Sequence, residues 1–299
     1  MTDVDIEGRR LKLSNLDKVL YPEAGFTKGQ VIDYYTRVSE ALLPHLNKRP
    51  LTLKRYPNGV DEKYFYEKRC PSHRPDWVAT APVESDRAGG TIDYCVCNDL
   101  PTLVWVANMA SIELHPSLSR APKIELPTIL AFDLDPGPPA AILECAEVGL
   151  WLQHVLGELG LQSFPKTSGS KGLQVYVPLN TPVTYDETKG FAHALARLLE
   201  KQHPKEVVSV MTKDLRKGKV FIDWSQNDEH KTTVSVYSLR ARETPTASTP
   251  VSWGEVAAAM DAGDADALRF EAPEVIERVE AQGDLFESVN TLKQKLPTL

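Results

Sequence analysis

The sequence has no long apolar run and lacks the two closely spaced Cys/His pairs of a zinc site, and each absence excludes a class of protein. None of its hydrophobic stretches approaches the roughly 18 residues needed to span a bilayer, and the opening MTDVDIEGRR has no apolar signal-peptide core. Its four cysteines do not form the two closely spaced Cys/His pairs typical of zinc sites. We therefore expect a cytoplasmic protein with reduced cysteines, no structural zinc and no membrane partner.

The excess of negative charge argues at first against a nucleic-acid partner. The net charge is −7 over 299 residues, yet residues 251–289 alone carry ten acidic side chains against two arginines. The rest of the chain is therefore close to neutral. A near-neutral body can carry a local basic face, and phosphates respond to local charge.

Helix and strand patterns alternate irregularly along the chain. Two capping boxes, Thr27 with Gln30 and Thr184 with Glu187, predict helices that begin there, and the first should end before Pro44. Strands are predicted at 50–57, 63–68, 128–135, 174–179, 219–224 and 232–239, the last two as a hairpin. We expect α+β or mixed α/β structure, with a catalytic domain at 1–250 and an acidic helical appendage at 251–299 packed on it.

The strongest chemical signal is the sequence FDLDP at 132–136. Side chains two residues apart on a strand share a face, so Asp133 and Asp135 leave the sheet together. Neighbouring carboxylates repel unless a cation lies between them, and Mg²⁺ or Mn²⁺ is held by carboxylates and substrate phosphates. Asp223 ends the apolar strand KVFID, and three acids converge for two-metal catalysis if the two strands are neighbours. The alternative is a pair of solvated or turn-capping motifs.

A loop rich in serine and glycine, TSGSKG at 167–172, precedes the strand at 174–179. Ser168 and Ser170 supply hydroxyl donors, Lys171 supplies charge, and Gly172 lets backbone N–H groups approach an anion. The loop is not a Walker A motif, because a strand rather than a helix follows it. It suits a phosphate, and a solvated turn is the alternative reading.

Basic side chains accompany these motifs in two groups. One group flanks Asp223 and comprises the basic residues Lys213, Arg216, Lys217, Lys219 and Arg240, together with the neutral amide Gln226. The other mixes basic and aromatic residues and comprises Lys18, Lys28, Lys54, Arg55, Tyr64, Phe65 and Tyr66. The first suits a triphosphate, and the second suits nucleic-acid phosphates and stacked bases. Ordinary solvated surface, with some aromatic core, is the alternative.

Together these stretches resemble the polymerase domain of bacterial end-joining, ATP-dependent DNA ligases, within the archaeo-eukaryotic primase superfamily. The matching segments are SNLDKVLYP, KRYPNGVD, FDLDPG, TSGSKG and KVFIDWSQN with KTTVSVYSLRAR, and they span nearly the whole chain. The resemblance implies an α+β primase-polymerase fold with an RRM-like antiparallel sheet core flanked by helices. It implies template-dependent addition of ribo- or deoxynucleotides to a DNA 3′-OH at gaps or double-strand-break ends, in non-homologous end joining or short-gap repair.

The resemblance also implies residue roles. Asp133, Asp135 and Asp223 would be catalytic and would hold two Mn²⁺ or Mg²⁺ ions. The incoming NTP or dNTP would contact His115, Ser168, Ser170, Lys171, Gly172, Arg216, Gln226 and Arg240. The downstream 5′-phosphate of DNA would bind Asn15, Lys18 and Lys28, and the template would contact Arg55, Phe65 and Tyr66. The implied partners are DNA with gaps or broken ends, an ATP-dependent DNA ligase and Ku, acting at the nucleoid.

The sequence departs from the family pattern at one position, and three alternative functions remain open. Family members often carry histidine where this chain has Gln174, which cannot become charged, so nucleotide affinity or preference is open. A primase or an excision-repair gap filler would use the same site. A non-catalytic DNA-end-binding module would not need the three acids. A phosphatase of the haloacid dehalogenase type is disfavoured, because Pro136 follows the D-x-D motif.

Overall fold

A computed structural model describes residues 1–85 and 89–298. Its strands are β1 (Thr2–Ile6), β2 (Arg9–Leu13), β3 (Val19–Tyr21), β4 (Phe26–Thr27), β5 (Leu51–Arg55), β6 (Phe65–Glu67), β7 (Thr80–Ser85), β8 (Gly90–Cys95), β9 (Ser111–Pro116), β10 (Ser119–Arg120), β11 (Lys123–Pro127), β12 (Ile129–Pro136), β13 (Phe164–Thr167), β14 (Leu173–Pro178), β15 (Val207–Val208) and β16 (Val220–Asp223). Its α-helices are α1 (Lys28–Arg37), α2 (Ser39–Leu46), α3 (Leu100–Asn108), α4 (Ile142–Glu158), α5 (Tyr185–Gln202), α6 (Trp253–Ala262), α7 (Ala272–Gln282) and α8 (Glu287–Thr291). The mixture confirms the expected α+β class.

The chain divides into two compact units, each assembled from three stretches of sequence. Unit 1 comprises Met1–Pro122, Thr232–Ser248 and Glu271–Asp284. Unit 2 comprises Lys123–Lys231, Thr249–Phe270 and Leu285–Leu299. The expected division into a catalytic domain at 1–250 and an appendage at 251–299 cuts the chain once, whereas each unit combines separate stretches of sequence. That expected division stays a prediction.

Unit 2 is organised around a five-stranded sheet in the order β13-β14-β12-β16-β15. All of its neighbours are antiparallel except the β15–β16 pair. In the central strand β12, Leu130, Phe132 and Leu134 are fully buried in a core that includes residues of α4 and α5. Because side chains alternate across a strand, Asp133 and Asp135 point to the opposite face. The hydrophobic alternation of β12 therefore orients both acids.

Unit 1 contains a second five-stranded sheet, in which β5 pairs with β6, β8 and β9, and β7 pairs with β8. The segment 232–248 lies beside β9, to which Thr233 and Ser235 donate backbone hydrogen bonds. Buried tyrosines tie this unit together, since the hydroxyls of Tyr34 and Tyr35 donate to the carbonyls of Tyr237 and Ile112. Side-chain hydroxyls thus satisfy backbone acceptors inside an apolar core.

Two predicted elements differ from the structure. The helix that begins after Thr27 is divided at Val38 into α1 and α2, and Pro44 lies inside α2 instead of after the helix. Pro44 has no N–H to donate to the carbonyl of Glu40, so α2 contains it at the loss of one helical hydrogen bond. The predicted strand at 232–239 and its hairpin are wrong, because this segment forms no strand and bonds to β9, while β16 pairs with β12 and β15. The two capping boxes are confirmed.

The expectation of four reduced cysteines is also wrong. Cys70 and Cys95 form a disulfide, while Cys97 and Cys145 are free and buried. The pair escapes sequence inspection because the fold creates it: the backbone N–H of Cys70 donates to the carbonyl of Asp93, which brings residue 70 beside β8. Within the described residues, no helix is both long and apolar enough to cross a bilayer.

Candidate active site

Three carboxylates share one face of the unit 2 sheet. Asp133 in β12 lies directly opposite Asp223 in β16, and Asp135 lies opposite Phe221 in the same antiparallel pair. Directly opposed residues of an antiparallel pair project from the same face, with Cβ atoms about 5 Å apart. The structure thus confirms that the two acid-bearing strands are neighbours. D-x-D spacing alone could not predict this, because β12 and β16 are far apart in sequence.

A row of polar residues continues from these acids across the sheet. Gln174 in β14 lies opposite Asp133 and donates a 3.0 Å hydrogen bond from Nε2 to Asp133 Oδ1. Lys166 in β13 lies opposite Gln174 and is fully buried. Sequence reasoning missed Lys166, although its charge inside the short strand FPKT was a usable signal. Four adjacent strands therefore contribute one residue each to a polar row, in the order Lys166, Gln174, Asp133 and Asp223.

At Asp133, burial and like charges outweigh the nearby positive charge of Lys166. Burial and the nearby charges of Asp135 and Asp223 raise the pKa of Asp133 from 3.8 to about 7, although the Gln174 hydrogen bond and the Lys166 charge oppose this. Like charges held together in this way disfavour ionisation until a cation joins them. The donors are all carboxylate oxygens, the ligands that Mg²⁺ and Mn²⁺ prefer. The residues therefore fit a divalent cation.

The carboxylate of Asp223 is already engaged by its own turn. Its Oδ1 accepts from the N–H and hydroxyl of Ser225, and its Oδ2 accepts a 2.9 Å hydrogen bond from Gln226 Nε2. In the described part of the chain, no group of three or more His, Cys, Asp or Glu side chains is arranged to hold a metal ion. Gln226, predicted to contact nucleotide, is thus a direct partner of a predicted metal ligand.

The serine–glycine loop closes on itself beside β12. The hydroxyl of Ser168 accepts hydrogen bonds from the N–H groups of Ser170 and Gly172. A Cβ on Gly172 would lie 2.1 Å from the carbonyl oxygen of Leu134, so only glycine fits this close approach. Lys171 is exposed. The loop therefore abuts the strand that carries Asp133 and Asp135, and its lysine is accessible to an anion.

Arg216 lies on the same side of unit 2. Its guanidinium carbon lies 3.8 Å from the centre of the Phe221 ring, and Phe221 is the residue opposite Asp135. The turn that carries Arg216 packs closely against the turn after β12, because a Cβ on Gly137 would lie 1.9 Å from the Arg216 carbonyl oxygen. Backbone packing thus holds a basic residue near the acid cluster.

In unit 1, the three residues predicted to bind a 5′-phosphate come together around the start of α1. The backbone N–H of Lys18 donates to Asn15, and that of Lys28 donates to Lys18. The Lys28 ammonium is largely buried, where it donates to the carbonyl and hydroxyl of Ser14. Burial and the charges of Lys18 and Arg55 lower the pKa of Lys28 to about 8. A concentration of positive charge at a helix N-terminus suits an anion.

The predicted template residues lie on the β6 edge of the unit 1 sheet but on different faces. Phe65 pairs with Arg55, whose guanidinium lies 5.0 Å from its ring, whereas Tyr66 pairs with Lys54. Tyr66 contacts the ring of His115, with centroids 6.2 Å apart. Phe65 and Tyr66 are both exposed. The structure therefore groups Tyr66 with His115, and Phe65 with Arg55.

Sequence reasoning missed a central residue of unit 1, Glu113. Its side chain is only 2% exposed and joins two residues predicted to contact nucleotide, His115 and Arg240. The signal was present in the strand SIELHP, where an acid and a histidine two residues apart share a face. Arg240 belongs to unit 1 and not to the predicted hairpin with β16.

Comparisons with known proteins agree with this geometry. Residues 27–286 match the family described as LigD, primase-polymerase domain. A solved structure, the polymerase domain from Mycobacterium tuberculosis ligase D in complex with DNA, is similar with a TM-score of 0.87 and 40% sequence identity. The similarity covers 95% of this chain and 99% of that chain.

Curated relatives are longer proteins. The multifunctional non-homologous end joining protein LigD of Mycolicibacterium smegmatis is 41% identical over 92% of this chain and 35% of its own length. The LigD repair protein of M. tuberculosis is 41% identical over 94% and 37%. The bifunctional LigD of Bacillus subtilis is 32% identical over 92% and 43%. The chain thus spans between a third and a half of the length of these relatives.

Proposed function

The chain belongs to the LigD primase-polymerase domain family and is a nucleotidyltransferase, and we propose that it extends a DNA 3′-OH at gaps or broken ends. The reaction is template-directed addition of ribo- or deoxynucleotides with release of pyrophosphate. The observation that carries the proposal is the shared sheet face of Asp133, Asp135 and Asp223. Such a site needs several acids near one point, and neighbouring strands supply them.

Members of this family generally use divalent metals, and we propose Asp133, Asp135 and Asp223 as ligands of two Mn²⁺ or Mg²⁺ ions. Bound there, the metals would supply activation of the primer 3′-OH and stabilisation of the leaving pyrophosphate. Gln174 and Gln226 orient the acids, because each donates a hydrogen bond to one of their carboxylates. Such partners of metal ligands fix the direction in which the carboxylate oxygens point.

The nucleotide is proposed to meet two kinds of group in unit 2. Lys171 and the Ser168–Gly172 loop offer charge and hydrogen-bond donors to the triphosphate, next to the strand that carries the acids. Arg216 offers a guanidinium on the same side of unit 2, and arginine suits bidentate contact with phosphate. We propose the nucleotide as ligand of His115 and Arg240 as well, on the family resemblance.

For DNA, we propose that Asn15, Lys18 and Lys28 bind the 5′-phosphate and that Arg55, Phe65 and Tyr66 contact the template. The support is the joint position of the first three at the start of α1 and the exposure of two aromatic rings on a sheet edge. An ATP-dependent DNA ligase and Ku are the proposed partners in non-homologous end joining, the process named for the curated relatives. DNA ends as substrate imply activity at the nucleoid.

Primer extension on a gapped duplex with a 5′-phosphate tests the proposal directly. We expect addition of templated nucleotides with Mn²⁺ or Mg²⁺ and none in the presence of a chelator. Separate reactions with ribo- and deoxynucleotides define the preference, and an unprimed template tests for priming. Failure to extend the primer with either metal and either kind of nucleotide would contradict the proposed activity.

The phosphate role of Lys28 is tested by Lys28→Met, which keeps the apolar stem and removes the charge. We expect weaker binding to gaps with a 5′-phosphate and little change for gaps with a 5′-hydroxyl, by about a tenfold difference between them. Fluorescence anisotropy on the two duplexes measures this. Lys12→Met, an exposed lysine in β2 of the same unit, is the matched control. Equal losses on both duplexes would remove the phosphate assignment.

A further inference from the structure

The carboxylate of Glu113 lies in a ring of donors. Its Oε1 accepts hydrogen bonds from Lys54 Nζ at 3.2 Å, from the Tyr56 hydroxyl at 3.3 Å and from the Ala241 N–H at 3.2 Å. Its Oε2 lies 2.9 Å from His115 Nε2 and 3.4 Å from Arg240 Nε. Both oxygens are therefore committed to groups that belong to three different stretches of unit 1.

These contacts keep Glu113 ionised. Burial alone would raise the pKa of this carboxyl, but the hydrogen bond from His115 and the charges of Arg240 and Lys54 outweigh it and hold the pKa well below its usual range. Burial lowers the pKa of His115, and its contact with Glu113 only partly opposes that. At neutral pH the pair is thus a carboxylate beside a neutral imidazole.

The ionised carboxylate fixes the histidine tautomer. A carboxylate only accepts hydrogen bonds, so the imidazole nitrogen facing it must carry the proton. That nitrogen is Nε2 of His115. The neutral ring therefore has Nε2–H and an unprotonated Nδ1. Toward a ligand, Nδ1 can act only as a hydrogen-bond acceptor.

We propose that Glu113 is a positioning residue that sets nucleotide affinity by holding His115 in the Nε2–H tautomer and by anchoring the guanidinium of Arg240. The proposal rests on the proposed function, in which both residues contact the nucleotide. Glu113 is assigned no direct contact with substrate or metal. It acts from below the surface, since its side chain is 2% exposed while those of His115 and Arg240 are 14% and 17% exposed.

The tautomer is measured in the unaltered protein by two-bond ¹H–¹⁵N correlation spectra of protein with ¹⁵N-labelled histidine. The chain has seven histidines, and loss of one signal set in His115→Gln assigns the ring of interest. We expect Nε2 to carry the proton of His115 at pH 7.5 and Glu113→Gln to give a mixture of tautomers. A proton on Nδ1 of His115 in the unaltered protein would overturn the proposal.

Kinetics test the consequence for the nucleotide. In Glu113→Gln we expect the KM for the templated ribonucleotide to rise about tenfold, with kcat changed less, because the ligand-binding groups are displaced while the acids are not. Glu113→Asp keeps the charge and should recover part of the affinity. Glu280→Gln, which removes the carboxylate of an exposed ion pair with Arg37 in the same unit, is the matched control and should leave KM unchanged.

The measurements separate this proposal from the proposed function. Absence of primer extension by the unaltered chain would contradict the polymerase assignment, and with it the nucleotide role of Glu113, whatever the tautomer. An active chain in which Glu113→Gln leaves both the tautomer and the KM unchanged would overturn the positioning role alone. A combined variant, Glu113→Gln with His115→Gln, should lose less affinity than the sum of the two single losses, since the first residue acts partly through the second.

Discussion

Asp133 and Glu113 are carboxylates with restricted access to water, yet their surroundings push them in opposite directions. Asp133 has two further acids beside it, and burial together with their charges raises its pKa. Glu113 has Lys54, His115 and Arg240 beside it, and its pKa is held low. Each lies on a strand with antiparallel neighbours, Asp133 in β12 of unit 2 and Glu113 in β9 of unit 1.

The difference teaches how a fold distinguishes a ligand site from an internal support. Glu113 is satisfied by the protein's own cations, so nothing external is needed to stabilise its charge. At Asp133, burial and the charges of Asp135 and Asp223 outweigh the charge of Lys166, so a cation from outside would favour its ionised form. The first arrangement holds its neighbours in place, and the second is suited to binding an ion. Four experiments can break or sharpen this contrast.

The largest expected effect is on catalysis. Asp133→Asn or Asp223→Asn should lower the rate of nucleotide addition by about a thousandfold or more, because a bound metal supplies several kcal/mol of transition-state stabilisation. DNA binding should be retained. Single-turnover extension on a gapped duplex and anisotropy on the same duplex measure the two properties. Asp186→Asn, an exposed acid in the first turn of α5, is the control and should be fully active. Near-normal extension by either variant would remove the acids from the reaction.

The second effect is on stability, and its sign should differ between the two carboxylates. In metal-free protein, Asp133→Asn should raise the free energy of unfolding by about 1 kcal/mol, because it relieves repulsion among the acids. Glu113→Gln should lower it by about 3 kcal/mol, because it leaves the buried ends of Lys54 and Arg240 without their counter-charge. Urea unfolding followed by circular dichroism measures both. Changes of the same sign would show that the contrast is not electrostatic.

A smaller effect is expected from the hydrogen bond between Gln174 and Asp133. Gln174→Leu should weaken Mn²⁺ binding by about tenfold, because partners of metal ligands typically contribute that much to affinity. Gln174→His should weaken it less, because a ring N–H can still donate to the carboxylate. Titration of Mn²⁺ by electron paramagnetic resonance measures affinity without catalysis, and Gln202→Leu at the end of α5 is the control. Unchanged affinity in Gln174→Leu would make the hydrogen bond irrelevant to the metal.

The smallest effect is the pH dependence of metal-free stability. Between the ordinary pKa of 3.8 and the raised value of about 7, folded Asp133 retains a proton that the unfolded chain has released. Stability, measured as Tm, should therefore fall as pH rises through this window. Mn²⁺ should restore Tm more at pH 8 than at pH 5, since it binds the ionised acids. An equal Tm shift by Mn²⁺ at both pH values would contradict the raised pKa.

Much of the unit 2 site was predictable from local patterns. The alternation in FDLDP predicts a common face for Asp133 and Asp135, and the burial of Phe132 and Leu134 confirms it. Both capping boxes mark true helix starts, because a cap depends on residues only three positions apart. The metal, nucleotide and DNA roles of the site residues stay predictions, because neither strand alternation nor helix capping tests contact with a ligand.

Local patterns failed where distant segments compete for the same partner. The apolar segment 232–239 has a strand-like composition, but it bonds to β9 rather than to β16, so the hairpin and the expected position of Arg240 were wrong. The disulfide between Cys70 and Cys95 likewise depends on how β8 meets residue 70. In each case the sequence is compatible with several partners, and burial of the whole unit selects one.

The sequence by itself determined which residues of a strand share a face, because that depends only on the two-residue period of a β-strand. It thereby determined that Asp133 and Asp135 would project together. Only the tertiary structure decided that Asp223 lies opposite Asp133, that Gln174 binds it, and that Glu113 is enclosed by Lys54, His115 and Arg240. The physical reason is that strand order and register are set by packing across the whole sheet, and no local period encodes them.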